Sequence, residues 1–517
     1  MDQGEVGLRT LCIGITKLTP NWTTILDQIG VWYEELDPNK EFENSYSAII
    51  LNHKPSRTVS RFLSEYLNSG GAVLEISGTE LFFKNYSSSK VGYITDRSDD
   101  PLFRPVPFID LNHRVNTIAG GTYFEGLVHF ESESKGFKCF LGLNPDKLFS
   151  DNSYKRLRFY SDTDIYPDEI VSSVDKGKIT QVIRIILKEL HFRRGLPFIN
   201  KWISPSKKPW FGFRIDSDYG DQLSIQELYK VGQKHDIPFT WFLHVEAHED
   251  WLNEFKEFRG HEIALHGYEH GTSTSYEQVF NNIEKGFQLL QDAWISPKGF
   301  CPPYGIWNDT LAEVLTKFDF DYTSEFTAGY DALPFYPTHN GESHSTLQIP
   351  IHPICTGSLN RRNADKEQMK YYFEEVLFRK LGLFQPVIFY HHPLQTGIEV
   401  WDEIFKIVNK IGLKKLTFSE ITSFWKERSS SNFEAVLHSH ESIHIKTDAP
   451  QQYLQISENH DSFSLIKNID KHELNQGKVF SYKYTENPSP EDIKKMRSNR
   501  LKLLKTSILD WRNRKKL

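Results

Sequence analysis

The chain has 517 residues, 38% hydrophobic and 25% charged, an ordinary balance for a soluble globular protein and a length beyond one core. A net charge of −7 offers no basic footprint for nucleic acid, and four scattered cysteines (Cys12, Cys139, Cys301, Cys355) with no C-x-x-C argue against a disulfide framework or a cysteine-bound zinc. The opening MDQGEVGLRTLCIGITKL lacks a basic segment followed by an apolar run, and no stretch reaches the ~18 apolar residues of a membrane helix, so a cytoplasmic location is expected.

LCIGI (11–15) and YSAIILNH (46–53) read as buried strands, with helical spacing in WTTILDQIGVWYEEL between them. RTVSRFLSEYLNSGG puts Val59, Phe62, Leu63, Tyr66 and Leu67 on one stripe and stops at Gly70 and Gly71 before the strand AVLEIS. Short strands joined by helical crossovers imply an open parallel sheet. The passage NSGGAVLEIS resembles the helix–Gly-Gly–strand step of amidotransferase-like and flavodoxin-like domains, so residues 1–200 are expected to form an α/β domain of that type. No cysteine nucleophile follows the strand, and the likeness brings no catalytic residue. From about 103 to 160 the chain is β-rich, and DEIVSSVDKGKITQVIRIILKELHF closes the region as a helix.

WISPSKKPW (202–210) reads as a linker to a second domain, 205–428. Its strands (FGFRID, FTWFLHV, EIALH, LQIPI, VIFYHH, LKKLTF) alternate with helical stretches such as SYEQVFNNIEKGFQLLQDAW. Repeated strand–helix units of this length predict a distorted (β/α) barrel, whose chemistry sits at the C-terminal ends of the strands.

The reactive residues fall at those ends. FGFRID ends in Asp216, with Asp218 just beyond; EIALH ends in His266, followed by His270; LQIPIHP carries His352; VIFYHHP carries His391 and His392. A lone aspartate after a strand is usually a turn or cap residue. Four strand ends carrying Asp or His together fit metal-assisted hydrolysis instead. Catalytic zinc takes three ligands from His, Asp or Glu and keeps one position for water, while a separate carboxylate and a separate acid move the protons. The stretch HGYEH has two readings. As H-x-x-E-H it matches the zinc signature of inverzincin proteases, which needs one continuous helix. Gly267 and Gly271 bracket it, and glycine opposes helix, so the strand-and-turn reading is preferred and Glu269 becomes an exposed or structural carboxylate.

Residues 210–425 resemble the polysaccharide deacetylases of carbohydrate esterase family 4, the NodB-homology domain. IDSDYG resembles the first motif, HGYEH the second with Gly267 in place of a hydroxyl residue, CPPYG the third, and YHHP the last. The resemblance implies a divalent metal, zinc, on Asp218, His266 and His270, with Asp216 as base, His392 as acid, and the backbone N–H of Tyr304 in the oxyanion site. It sets His391 in the acetyl pocket in place of a leucine. It makes Glu325, in SEF, the loose counterpart of the aspartate that tunes the catalytic histidine; His352, read from its strand end, is a further residue expected near the substrate. One departure stands out: Cys301 replaces the arginine that braces the base, and Arg214, Arg361 and Arg362 are the candidate substitutes.

Residues 429–517 are expected to form a small β-rich domain and a C-terminal helix. His438, His440 and His444 share one strand face, which reads as solvated. SPED (489–492) starts a basic helix offering Met496, Leu503, Leu504 and Trp511 as an apolar face; docking on its own protein is preferred over peripheral contact with an anionic membrane. The function expected is N-deacetylation of an acetamido sugar or glycan precursor in surface polysaccharide biosynthesis. The alternatives are a metal-dependent amidase or deformylase on a non-sugar or lipid-linked amide, and a catalytically weak glycan-binding protein.

Overall fold

The computed structural model describes residues 8–40, 45–96, 101–118, 124–163, 165–439, 442–498 and 506–508. The chain divides into two compact units, and both are discontinuous in sequence. One comprises residues 151–177, 208–425 and 485–517; the other comprises 1–150, 178–207 and 426–484.

The first unit is built on eight parallel strands: β1 (Trp210–Asp216), β2 (Phe239–Leu243), β3 (Glu262–Leu265), β4 (Gly299–Phe300), β5 (Tyr322–Thr323), β6 (Leu347–Gln348), β7 (Val387–His391) and β8 (Lys414–Lys415). They pair in the order β6-β5-β4-β3-β2-β1-β7, with β8 beside the start of β1. The sheet curls into a half-barrel, and past β6 the His352 N–H donates to the Ile388 carbonyl of β7 at 3.0 Å. Strand alternation sorts the side chains into two cores. Phe211, Phe213, Ile215 and Phe389 pack outward with Trp401 and Phe405 of the helix Ile398–Ile411. Trp210, Phe242, Cys301, Tyr322, Ile388 and Tyr390 pack in a second cluster on the other side of the strands. Arg214 and Asp216 share the strand parity of Trp210 and so belong to that inner side.

The second unit holds a six-stranded sheet in the order Tyr33–Glu35, Ile13–Ile15, Ala48–Leu51, Ala72–Ile76, Gly136–Leu141, Val128–Glu133. The first five strands are parallel in the flavodoxin-like order 2-1-3-4-5, and the last is antiparallel. Two antiparallel four-stranded sheets accompany it.

The three consecutive domains expected from the sequence are therefore redrawn. Phe198–Lys201 pairs with Leu454–Ser457, and Arg9–Thr10 pairs with Phe433–Ser439, so the N-terminal region and residues 429–484 form one unit. The hairpin Tyr154–Arg158/Asp168–Ser172 belongs with the half-barrel, and the helix expected from 168 begins at Lys176. Such pairings cross hundreds of residues and leave no mark on local periodicity.

His438 and His444 are exposed on their strands, and His440 lies outside the described residues. The helix Pro490–Ser498 opens with a reciprocal cap: Asp492 N–H donates to Ser489 Oγ at 3.1 Å and Ser489 N–H to Asp492 Oδ2 at 3.2 Å. Ile493 and Met496 are buried, which leaves the described turns no apolar face for a membrane; Leu503, Leu504 and Trp511 lie outside the described residues. No helix among the described residues is long and apolar enough to cross a membrane.

Arg428 ties the discontinuous segments of the second unit together. Fully buried, it donates to the carbonyls of Asp27, Gln28, Lys201 and Trp202 at 2.7–3.1 Å. Arg428→Met keeps the stem and takes these donors away, although the Lys201 carbonyl still accepts from Asn200 Nδ2 at 3.0 Å. Denaturant unfolding should show a loss of about 3 kcal/mol or more, since each unsatisfied buried acceptor costs ~1–3 kcal/mol.

Candidate metal centre

β1 supplies the first two groups. Arg214 and Asp216 sit two apart on one strand face. The guanidinium grips the carboxylate in a fork, Nε to Oδ1 at 2.6 Å and Nη2 to Oδ2 at 2.5 Å. Its Nη1 donates to the Ser324 carbonyl and hydroxyl at 3.0 and 3.1 Å. The rings of Phe242, Phe326 and Tyr390 surround the cation at 5.2–5.6 Å. Burial alone would raise the Asp216 carboxyl, but Arg214 outweighs it and holds the group below the usual carboxylate range. Of the three candidate arginines, Arg214 is the one that grips Asp216. Arg361 and Arg362 instead pair with Glu169 and Asp168 of the hairpin.

Beyond β1 the chain turns sharply, and Asp218 adopts a left-handed φ of 42°. A set of neutral groups that sequence reasoning missed fixes this turn. The His244 N–H donates to Ser217 Oγ at 2.9 Å, His244 Nδ1 bonds the Asp218 carbonyl at 2.9 Å, and His248 Nε2 bonds Ser217 Oγ at 2.8 Å. Burial lowers both imidazoles to about 4, so they are uncharged near neutrality. The signal, H-x-x-x-H in HVEAH directly after β2, was available in the sequence.

β3 ends at Leu265 and delivers His266, whose Nδ1 bonds the Cys301 carbonyl at 2.7 Å. The chain then turns through Gly267 (φ 97°) to His270, and no helix forms there, which removes the protease reading. Glu269 is exposed. The peptide before His270 is clamped by Asn282: its Oδ1 accepts the Glu269 N–H at 2.8 Å, and its Nδ2 donates to the Glu269 carbonyl at 3.0 Å.

These ligands converge. Asp218 Oδ1 lies 3.4 Å from His266 Nε2 and 3.1 Å from His270 Nε2. The bond between His266 Nδ1 and the Cys301 carbonyl fixes the ring so that Nε2 faces a carboxylate oxygen. Two imidazole nitrogens and a carboxylate oxygen so placed form a candidate cation site. Ligand atoms at 2.0–2.1 Å from a tetrahedral zinc stand about 3.4 Å apart, which matches. Among the described residues Asp218 Oδ1 meets no donor other than these two imidazoles. A second group, Asp216, His266 and Cys301, fits less well: Asp216 is taken by Arg214, and burial pushes the Cys301 thiol well up, keeping it protonated.

β7 decides between the two adjacent histidines. Tyr390 and His392 face inward together, with ring centroids 5.3 Å apart. His391 points the other way, 5.9 Å from Trp401, and its Nδ1 meets Thr356 Oγ1 at 3.1 Å. His391 is therefore not a wall of an acetyl pocket. His392 Nε2 stands 3.6 Å from Asp218 Oδ2 and 3.9 Å from Asp216 Oδ2. Burial works against its charge, yet Asp218, Cys355 and Asp216 carry it up to about 10. Cys355, a neighbour no sequence signal marked, is opposed by burial but drawn down to about 7 by His392.

The remaining expected residues divide. Tyr304 has φ 60° and sets its ring edge-on to His270 at 4.9 Å, so CPPYG borders the centre. His352 spends Nδ1 on Asp331 and Nε2 on Tyr372, both at 3.0 Å, which leaves no ring nitrogen for a substrate. Glu325 is buried and accepts from the Thr323 hydroxyl; burial pushes its carboxyl well up, and no hydrogen bond or ion pair joins it to His392 among the described residues.

Residues 215–323 match the family model described as polysaccharide deacetylase. Similar solved structures include a putative polysaccharide deacetylase from Mycobacterium smegmatis, 15% identical, covering 44% of this chain and 94% of that one, with a TM-score of 0.37. A family 4 carbohydrate esterase from Streptomyces lividans is 18% identical over 40% of this chain and 91% of its own, at 0.30. A family 4 pseudoenzyme from Bacillus anthracis is 17% identical over 42% and 69%, at 0.32. At these scores the likenesses carry no argument about chemistry. No curated protein sequence matches the chain.

Asn282 lies outside the ligand set, and its clamp makes a prediction. Asn282→Ala should weaken zinc affinity about 10-fold or more, in the range found when groups supporting a ligand are removed. Titration with a competing chelator measures it, with apoprotein melting as the control for folding.

Proposed function

We propose, from the premise that residues 215–323 belong to the polysaccharide deacetylase family as a divergent member, that the half-barrel hydrolyses the acetamide of an amino sugar with the help of a zinc ion. The observation that carries the reading is the convergence of Asp218 Oδ1 on two imidazole nitrogens beside an aspartate held ionised by Arg214.

Asp218, His266 and His270 would hold the cation. When bound, it would lower the pKa of a water and polarise the substrate carbonyl. Asp216 takes the proton of the attacking water. The Arg214 fork keeps it ionised and fixes its direction, so it is a base already in position. His392, on the same side of the centre, donates a proton to the departing amine, releasing acetate and a free amino sugar. The Tyr304 N–H is the proposed oxyanion donor, a role typically worth a few kcal/mol. A precursor of a surface glycan, acted on in the cytoplasm, is the proposed setting.

Metal analysis of purified protein should find about one zinc per chain, lost in His266→Ala, as three ligands and an open position imply. Asp216→Asn should keep the metal and lose acetate release. Wild-type turnover in that variant would remove Asp216 from the base role, and a metal-free wild type after zinc supply would leave only glycan binding.

Arg214→Gln tests the brace through pH. Arg214 depresses the Asp216 pKa, so its loss raises it, and the base is protonated at a higher pH. The acid limb of the kcat/KM profile should move up; an unmoved limb would separate Arg214 from Asp216.

A further inference from the structure

At the opposite end of the strands from the metal centre, near the start of β3, lies a cleft of about 460 Å³. Trp294, Lys256, Lys298, Ser296 and His261 line it. The helix Tyr276–Asp292 runs into its edge and ends in a complete Schellman turn, with Ile295 N–H donating to the Leu290 carbonyl and Trp294 N–H to the Gln291 carbonyl, both at 2.8 Å. The left-handed residue of that turn is Trp294, at φ 59°. Glycine or asparagine normally stands there, because any larger residue is strained in this conformation. Trp294 is nonetheless 86% exposed, so packing does not repay the strain. A strained, solvent-facing indole beside a cleft is a feature to be explained by contact with something else.

The charge of the cleft narrows what that is. Glu262 also lines it, but its carboxylate is consumed within the protein. It accepts from Tyr322 Oη at 2.7 Å, Ser419 N–H at 2.9 Å, Thr240 Oγ1 at 3.1 Å and the Ser419 hydroxyl. His261 accepts at Nδ1 from the Phe239 N–H and Trp241 Nε1–H, both at 3.2 Å, so its Nε2 carries the proton as a neutral donor. Lys256 and Lys298 are exposed and have no carboxylate partner among the described residues. On a chain of net charge −7, the free groups of this cleft are two cations, a neutral donor, the Ser296 hydroxyl and an aromatic face.

We propose that this cleft is an accessory saccharide site, in which the indole of Trp294 stacks on the apolar face of a sugar ring and Lys256 and Lys298 take an anionic group on it. The choice of a saccharide rests on the deacetylase reading, while the anionic character rests on the lysines. The site lets the protein hold a chain or precursor at one point while its acetamide reaches the metal centre elsewhere.

Calorimetric titration of the full-length protein carrying His266→Ala, which prevents turnover, tests this with three probes: a uronate oligosaccharide, a glycosyl phosphate and a neutral acetamido-sugar oligosaccharide. At least one anionic probe should bind, and which one does tells whether a carboxylate or a phosphate is read. Trp294→Ala, and separately Lys256→Ala with Lys298→Ala, should raise its Kd about tenfold or more. Trp294→Gly should lose the same affinity while its melting midpoint holds or rises, since glycine relieves the turn. The proposal is overturned by no anionic binding, by binding that survives loss of Trp294, or by a Trp294→Gly midpoint several degrees lower, which would make the indole structural. Absence of acetate release by the wild type would fail the deacetylase reading and leave these binding results standing.

Discussion

A carboxylate inside a half-barrel is costly, and the Arg214–Asp216 fork is the arrangement that lets β1 carry one. Burying either charge alone would cost several kcal/mol, and a buried pair commonly does no better than breaks even against apolar packing. The pair therefore has little to recommend it as a source of stability. Its geometry has more: both carboxylate oxygens are directed, the third guanidinium nitrogen is fixed on Ser324, and three aromatic rings close around the cation. The carboxylate and its orientation are thus built into one strand.

Much of this was legible in the sequence, and the reason is strand alternation. Asp216, Asp218, His266, His270 and His392 announce themselves because polar residues at strand ends interrupt apolar runs, and the structure brings all five together. Alternation could also have resolved what motif matching left open. Arg214 shares a face with Asp216 because the two are two apart, whereas Arg361 and Arg362 come from a helix end and meet a different hairpin. The same rule separates His391 from His392: one must face Trp401 and the other the interior. The expectations for His352 and Glu325 failed for a different reason. Position near a strand end does not reveal that Asp331 and Tyr372 consume one imidazole, or that burial neutralises a carboxyl.

The unit boundaries were legible only in part. The expected linker at 202–210 does coincide with a passage between units, but the strand just before it finds its partner some 250 residues later, at Leu454–Ser457. Periodicity reports which residues face a core and never which core. A short edge strand such as Arg9–Thr10 gives even less signal, since two residues cannot display an alternation.

The shell behind the metal ligands completes the electrostatic argument. A divalent cation beside Asp218 and Asp216 would already be near a third positive charge on Arg214, so any further cation in the first layers would oppose metal binding. The two imidazoles that brace the Asp218 turn are the obvious risk, for each sits within a few residues of the ligands. Burial removes the risk by holding His244 and His248 near 4, where they act as dipoles. The site can then spend polar contacts freely on rigidity, with Ser217 and the left-handed Asp218 pinned from two directions, without adding charge. His392 is the exception, and its place explains why: it faces both carboxylates, which favour a proton on it.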